Sequence, residues 1–313
     1  MTTLSYAETA RKMTDAELYG FFSKDHFYQD ANLAAAVCQE VENREAALTG
    51  RKPARIEFKK FDNPNVMGYA GRDVICVNTC FLESKYQHRY TPEGILNTIL
   101  HEGRHYWQRQ VTLNPELECP NALRLQFVIN QLAYVNTGNA IDLGMDAEIQ
   151  ARLQYGMQEN EMDARYYALK RMREISERYR KDYPFKLEMT REVIQEIEYY
   201  RLVTENMTEE KYQLLERKYM ERYNQNKEQA KKLGVLYPEA PEGKRCFENI
   251  RIYRKVIDPL YKGLLKANPQ LRMNTGDQAA LLFSLYRVAR ERILAGETLE
   301  SPLELLKIGR AHV

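Results

Sequence analysis

His101-Glu102-Gly103-Arg104-His105 combines residue types and spacing suited to metal chemistry. Imidazoles four residues apart on a helix lie one above the other on the same face. Two neutral ring nitrogens can then meet one Zn2+ at about 2.0–2.1 Å. Glu102 is turned about 100° from His101 and can reach a metal-bound water without occupying the metal. Hydrolysis needs this division of labour. The metal lowers the pKa of the water and polarises a carbonyl, and the carboxylate takes a proton and later passes it to the leaving amine. The same five residues on a solvated helix would be two surface histidines and a surface acid, so the context decides.

That context is Glu159-Asn-Glu-Met-Asp163, on a second helical stretch expected over roughly residues 146–172. Glu159 and Asp163 are four apart and share a face, so the first can be a third protein ligand while the second accepts a hydrogen bond from a ligand histidine. Glu161 competes with Glu159 for the ligand position. The two differ by about 200° around the helix, so both cannot face the same metal.

With these two motifs together the sequence resembles the zincin metallopeptidases, in the Glu-liganded branch where His-Glu-x-x-His is followed by Glu-x-x-x-Asp. The resemblance implies a Zn2+ site of His101, His105 and Glu159, with Asp163 behind a histidine and Glu102 as general base. It extends upstream to Asn65-Val-Met-Gly-Tyr-Ala-Gly71 and Asp73-Val-Ile-Cys-Val-Asn78, and so covers about residues 54–170. In that family a strand here precedes the active-site helix. Its exposed edge, at Gly68, Tyr69, Ala70 and Gly71, would hold an extended peptide by strand addition. Arg104 departs from the pattern, since family members usually carry an uncharged residue there. Pairing with a nearby acid is a simpler role for it than contact with a substrate carboxylate. Tyr166, three residues beyond Asp163, is a further catalytic candidate as a phenol donating to a developing oxyanion. The chain has 22 tyrosines, so packing is the ordinary role for most of them.

The elements that must position these groups carry clear local signals. Thr91 can cap a helix running to about residue 108, Pro92 suits its first position, and Glu93 suits the positive end of its dipole. Ile95, Leu96, Ile99 and Leu100 form an apolar stripe that would anchor this helix in a core. Upstream, Thr14-Asp-Ala-Glu17 is a capping box, and a helix is expected from about Asp30 to Leu48, ending at Gly50. Arg55–Phe61 reads as a strand. Leu123–Val135 reads as a helix with Leu125, Val128, Ile129 and Leu132 inward. His88 is a lone histidine expected at the surface.

Downstream, Thr208 caps a run to about Leu233 with Tyr212, Leu215, Tyr219 and Tyr223 on one side. Residues 234–243 read as a turn or linker. Helices are expected at about 244–266 and 276–295, and a capping box at Ser301-Pro-Leu-Glu304 opens a last short one.

With 44% hydrophobic and 29% charged residues the composition is that of a soluble globular protein. The formal net charge is +2, with 18 basic and 22 acidic residues in 1–170 and 28 and 22 in 171–313. That mild asymmetry could favour an acidic partner for the second half, but a solvated helical surface is the simpler account, and nucleic acid is not the expected partner. Five cysteines (Cys38, Cys76, Cys80, Cys119, Cys246) without a Cys-x-x-Cys pair argue against a disulfide framework and for a reducing compartment. Cys76 reads as a small core residue. No signal-like segment or long apolar run is apparent, which makes the cytoplasm the expected location, export by a signal-less route being compatible, with no membrane partner.

The expectation is an α+β protein with a zincin-like domain over 1–170 and a mainly helical part over 171–313. Its expected activity is zinc-dependent hydrolysis of a peptide or protein substrate. The competing reading is a non-enzymatic interaction or nucleic-acid-binding protein with a structural or vestigial zinc site. Against it, a purely structural site usually fills its fourth position with protein.

Overall fold

The structure is a computed structural model that describes residues 3–22, 24–63, 66–82, 91–132, 134, 140, 142–156, 158–179, 203–234, 237, 250–251, 254–255 and 258–267. His88, Cys246 and the helices expected at 276–295 and from Ser301 lie outside the described residues. The architecture is mixed α and β, mostly helical, with one three-stranded sheet. The chain forms two compact units, Met1–Ala133 with Glu159–Thr190, and Tyr134–Gln158 with Arg191–Val313. Residues 134–158, expected within the first domain, therefore group with the second unit.

In the first unit, α1 (Thr3–Lys12), α2 (Asp15–Gly20), α3 (Lys24–Phe27) and α4 (Ala31–Leu48) precede the sheet. The Thr14 capping box is complete, and Asp30 caps α4 by accepting from the amides of Asn32 and Leu33. Gly50 follows α4 at φ 66°, a left-handed conformation that glycine adopts without steric cost.

The sheet comprises β1 (Arg55–Lys59), β2 (Gly68–Ala70) and β3 (Val74–Asn78), in the order β1-β3-β2. β1 is parallel to β3 and β2 antiparallel to it, so β2 is an outer strand. β3 is the most buried strand, with Ile75, Cys76 and Val77 inside. Cys76 thus packs as a small apolar residue, free of any disulfide.

α5 (Pro92–Leu113) is the helix expected from the sequence, extended by about a turn. The Thr91 side chain accepts from the Gly94 amide, and Pro92 occupies the first turn. Ile95, Leu96, Ile99 and Leu100 are buried in the main core with Val37, Val41, Ile75, Val77 and Met172. Each such side chain contributes roughly 1.5–3 kcal/mol relative to exposure. This core packs α5 against α4, the sheet and α8 (Glu159–Tyr179) and fixes which face carries the histidines.

α6 (Asn121–Leu132) packs on the far end of α5 through Trp107, Val111 and Phe127. Arg124 donates to the carbonyls of Val111, Asn114, Pro115 and Leu117 and so ties the intervening loop. The side chains of Ile129 and Leu132 lie outside the described residues, and Phe127 is fully buried.

The single helix expected over 146–172 is two helices, α7 (Ala147–Tyr155) in the second unit and α8 (Glu159–Tyr179) in the first. The interruption follows Gly156, where the backbone entropy of glycine weakens helix continuation. The Asn160 amide, in the first turn of α8, finds its acceptor in Asn130 Oδ1 of α6 at 2.9 Å.

The second unit also holds the helix Glu209–Lys232, capped by Thr208 and burying Tyr212, Leu215 and Tyr223, and the helix Asp258–Ala267. Among the described residues no helix is long and apolar enough to cross a membrane.

Candidate metal centre

α5 places His101 and His105 one turn apart, their rings 4.7 Å between centroids and nearly perpendicular. The two Nε2 atoms are 3.1 Å apart. α8 brings the third group, Glu161, whose Oε1 lies 3.4 Å from His105 Nε2 and whose Oε2 lies 3.7 Å from His101 Nε2. All the donor atoms lie within 4.8 Å of one another.

Two ligands bound at 2.0–2.1 Å to one tetrahedral ion stand about 3.3 Å apart. The two imidazole nitrogens stand near that edge length, and a carboxylate oxygen lies within 3.7 Å of each, so His101, His105 and Glu161 could hold a metal ion. Charge agrees with this. Burial alone would lower the His105 pKa, but the Glu161 carboxylate and its hydrogen bond, then Glu102 and Gln108, push it up to about 9. Burial would raise the Glu161 pKa, yet His105 and His101 hold it well below the ordinary carboxylate value. A cation is what this cluster favours.

The carboxylate at the imidazoles is therefore Glu161. Glu159, expected as the ligand, opens α8, and its side chain lies outside the described residues. Asp163 was expected to accept a hydrogen bond from a ligand histidine. It instead accepts from Gln108 Nε2 at 2.8 Å and from Arg104 Nε and Nη2 at 2.7 and 2.9 Å. The partner of His105 Nδ1 is Gln108 Oε1, at 2.8 Å. Arg104 thus pairs with an acid, and its guanidinium also lies 3.7 Å from the Trp107 ring centroid and 4.9 Å from that of Tyr167. Tyr166 is half-buried on α8, five residues and so about 140° beyond Glu161, and does not share that carboxylate's face.

Glu102 is half-buried and lies beside β2. A Cβ built at Gly68 would fall 3.3 Å from Glu102 Cγ and 2.8 Å from both Thr98 Cγ2 and the Cys76 carbonyl. Any other residue at 68 would push the strand off the helix. Backbone bonds from Asn78 to Met67 and from Gly71 to Val74 make these the hydrogen-bonded pairs of the ladder. Gly68 and Ala70 consequently turn their N–H and C=O groups away from β3, to the open side. Part of that edge is occupied, because Arg109 donates to the Ala70 carbonyl at 3.1 Å and to the Gly71 carbonyl. The Tyr69 side chain is exposed, its ring 5.4 Å from that of Phe61.

Three features behind the site were not assigned roles from the sequence: Gln108, Arg109 and Gly103. A Cβ at Gly103 would lie 2.9 Å from Arg51 Nη2 and 3.2 Å from Glu42 Oε2. Those two side chains form an ion pair that is 2% and 0% exposed, and Glu42 also accepts the Ala54 amide at 2.7 Å. A glycine inside the motif was the available signal, since helix interiors disfavour it unless another group must approach closely. Gln108 follows His105 by three residues, near it on the helix surface, which was the signal for contact between them.

No protein-family model, no curated protein and no solved structure matches this chain.

Proposed function

We propose that the chain is a zinc-dependent peptidase of the zincin type, acting at the centre formed by His101, His105 and Glu161. One observation carries this reading. Two imidazoles and a carboxylate from two helices distant in sequence converge, their donor atoms within 4.8 Å of one another, with Glu102 next to the first of them. The donor set of two imidazoles and a carboxylate, with one position left open, suits catalytic rather than structural Zn2+. Bound there, Zn2+ supplies a Lewis acid for a carbonyl and a water acidic enough to be deprotonated near neutral pH.

The remaining work falls to the protein's own groups. Glu102, turned about 100° from His101, accepts a proton and delivers it to the leaving amine. Gly68, without a side chain against Glu102, lets an extended peptide run along β2 with its backbone close to that carboxylate. Arg109 limits the pairing to Gly68 and the Ala70 amide, because it occupies the two carbonyls beyond.

The test compares the parent with Glu102→Gln and Glu161→Ala. The parent and Glu102→Gln should purify with equimolar zinc, and Glu102→Gln should lose several powers of ten in the cleavage rate of a peptide library. Glu161→Ala should lose metal and activity together. A zinc-retaining Glu102→Gln protein that cleaves as fast as the parent defeats the mechanism.

A further inference from the structure

Gln108 is almost wholly buried, and every polar atom of its amide is engaged. Nε2 is 2.9 Å from the Asn160 carbonyl oxygen and 2.8 Å from Asp163 Oδ2. Both neighbours can only accept, one as a backbone carbonyl and the other as a carboxylate in a two-point ion pair with Arg104. Turning the amide over would set its oxygen against two acceptors in a buried place, so its orientation is determined. Oε1 must be the atom that faces His105 Nδ1 at 2.8 Å. An amide oxygen cannot donate. The contact is a hydrogen bond only if His105 carries a proton on Nδ1, so the nitrogen left to bind a metal is Nε2, which faces His101 Nε2 and Glu161.

We infer that Gln108 is a positioning residue that locks His105 in the Nδ1–H tautomer, so that Nε2 is the nitrogen offered to a metal. The lock is itself held from behind. Arg104, lodged against the Trp107 and Tyr167 rings, fixes Asp163, and Asp163 with the Asn160 carbonyl fixes the Gln108 amide. Asn160 in turn is tied by its amide to Asn130. A single set of contacts between α5 and α8 therefore selects the tautomer of one ligand and seats the helix that carries another. The charged residue inside the motif, Arg104, acts on the centre through Asp163 and Gln108 without touching it. The inference shares its site with the proposed hydrolase and rests on that reading only for the presence of the metal.

The test begins with the parent loaded with Zn2+, using the 15N shifts and long-range couplings of the His105 imidazole nitrogens. The expected result is a proton on Nδ1 and the metal on Nε2. In Gln108→Leu, of similar size, that preference should weaken, and Zn2+ affinity measured against a chelating dye should fall about 10–100-fold, the usual effect of losing a ligand's hydrogen-bonding partner. A parent spectrum with the proton on Nε2 overturns the inference, as does a folded Gln108→Leu protein with unchanged spectrum and affinity. The parent spectrum requires no variant to fold. If the parent binds zinc with Nδ1 protonated, and Gln108→Leu weakens that binding, while neither cleaves peptide, the lock stands and the hydrolase reading falls; a parent that takes up no zinc overturns both.

Discussion

Raising the pH from 7 to 9 should tighten Zn2+ binding about 100-fold, and Glu161→Ala should flatten that dependence as well as weaken binding. In the metal-free protein burial disfavours the charged His105 ring, but the Glu161 charge at 3.4 Å, its hydrogen bond, Glu102 and Gln108 together outweigh burial and raise the pKa to about 9. Only the neutral ring can bind the metal, so a proton must leave. Each pH unit below 9 then lowers the apparent binding constant tenfold, and two units amount to about 3 kcal/mol. A histidine with its ordinary pKa of about 6.5 would show almost no change over the same range. Without the Glu161 carboxylate the two largest raising influences are lost, burial is opposed only by Glu102 and Gln108, and the His105 pKa should fall. The stability of the metal-free fold should run the other way. A histidine pKa raised in the folded state gives stability that is complete below about 6.5 and is lost as the pH rises through 9. Glu161, with a depressed pKa, contributes above its unfolded value and loses that contribution only in acid. The metal-free protein should therefore melt at lower temperature at pH 9 than at pH 6.5, while its zinc affinity climbs. Dye competition from pH 6.5 to 9, with calorimetry in two buffers of different ionisation enthalpy, measures the slope and counts the released protons. A parent affinity that does not change between pH 7 and 9, or a Glu161→Ala slope equal to the parent's, refutes the reasoning.

Gly103→Val should destabilise the fold by about 2–4 kcal/mol. The gain in helix propensity is at most about 1 kcal/mol, whereas the new side chain must displace a buried ion pair. A thermal melt unchanged from the parent would mean that Arg51 moves aside freely. Arg51→Met leaves Glu42 fully buried and without its cation, and should cost about 3–5 kcal/mol in urea unfolding. Adding Glu42→Gln to Arg51→Met should recover much of that loss, and a double variant no more stable than the single would show that packing, not charge, dominates there.

The parts of the fold legible in the sequence are those set by near neighbours along the chain. Thr14, Asp30, Thr91 and Thr208 each cap the helix they precede, because a short polar side chain satisfies amides two or three residues on whatever the tertiary setting. The apolar stripe of α5 followed from periodicity in the same way, whereas the strands around Gly68–Asn78 were implied by the family resemblance. The interruption between α7 and α8 did not, since a continuous helical pattern spans it. What stabilises a new helix start at Glu159 includes an acceptor on Asn130, 30 residues upstream. The Gln108 link was equally hidden, because its meaning depends on which groups of α8 stand opposite, and spacing along α5 says nothing of that.

The acid that meets the two histidines is an intermediate case. The spacing of Glu159 and Asp163 suggested a ligand and its supporting acid on one face, but spacing within a helix does not fix how that helix is rotated about its axis. The apolar residues fix it. Glu161, Ala164, Ala168, Met172 and Ile175 recur at intervals of three and four, and all five are buried. Glu161 is thus in phase with the stripe that must face the core, and Glu159 is about 200° out of phase with Glu161. A carboxylate placed on the core-facing stripe is costly to bury without a partner, so its presence there already called for cations or a metal across from it. The imidazoles of α5 are what it meets. The phase of its own helix therefore selects Glu161, and the same phase removes Tyr166, about 140° away, from the face that meets the histidines.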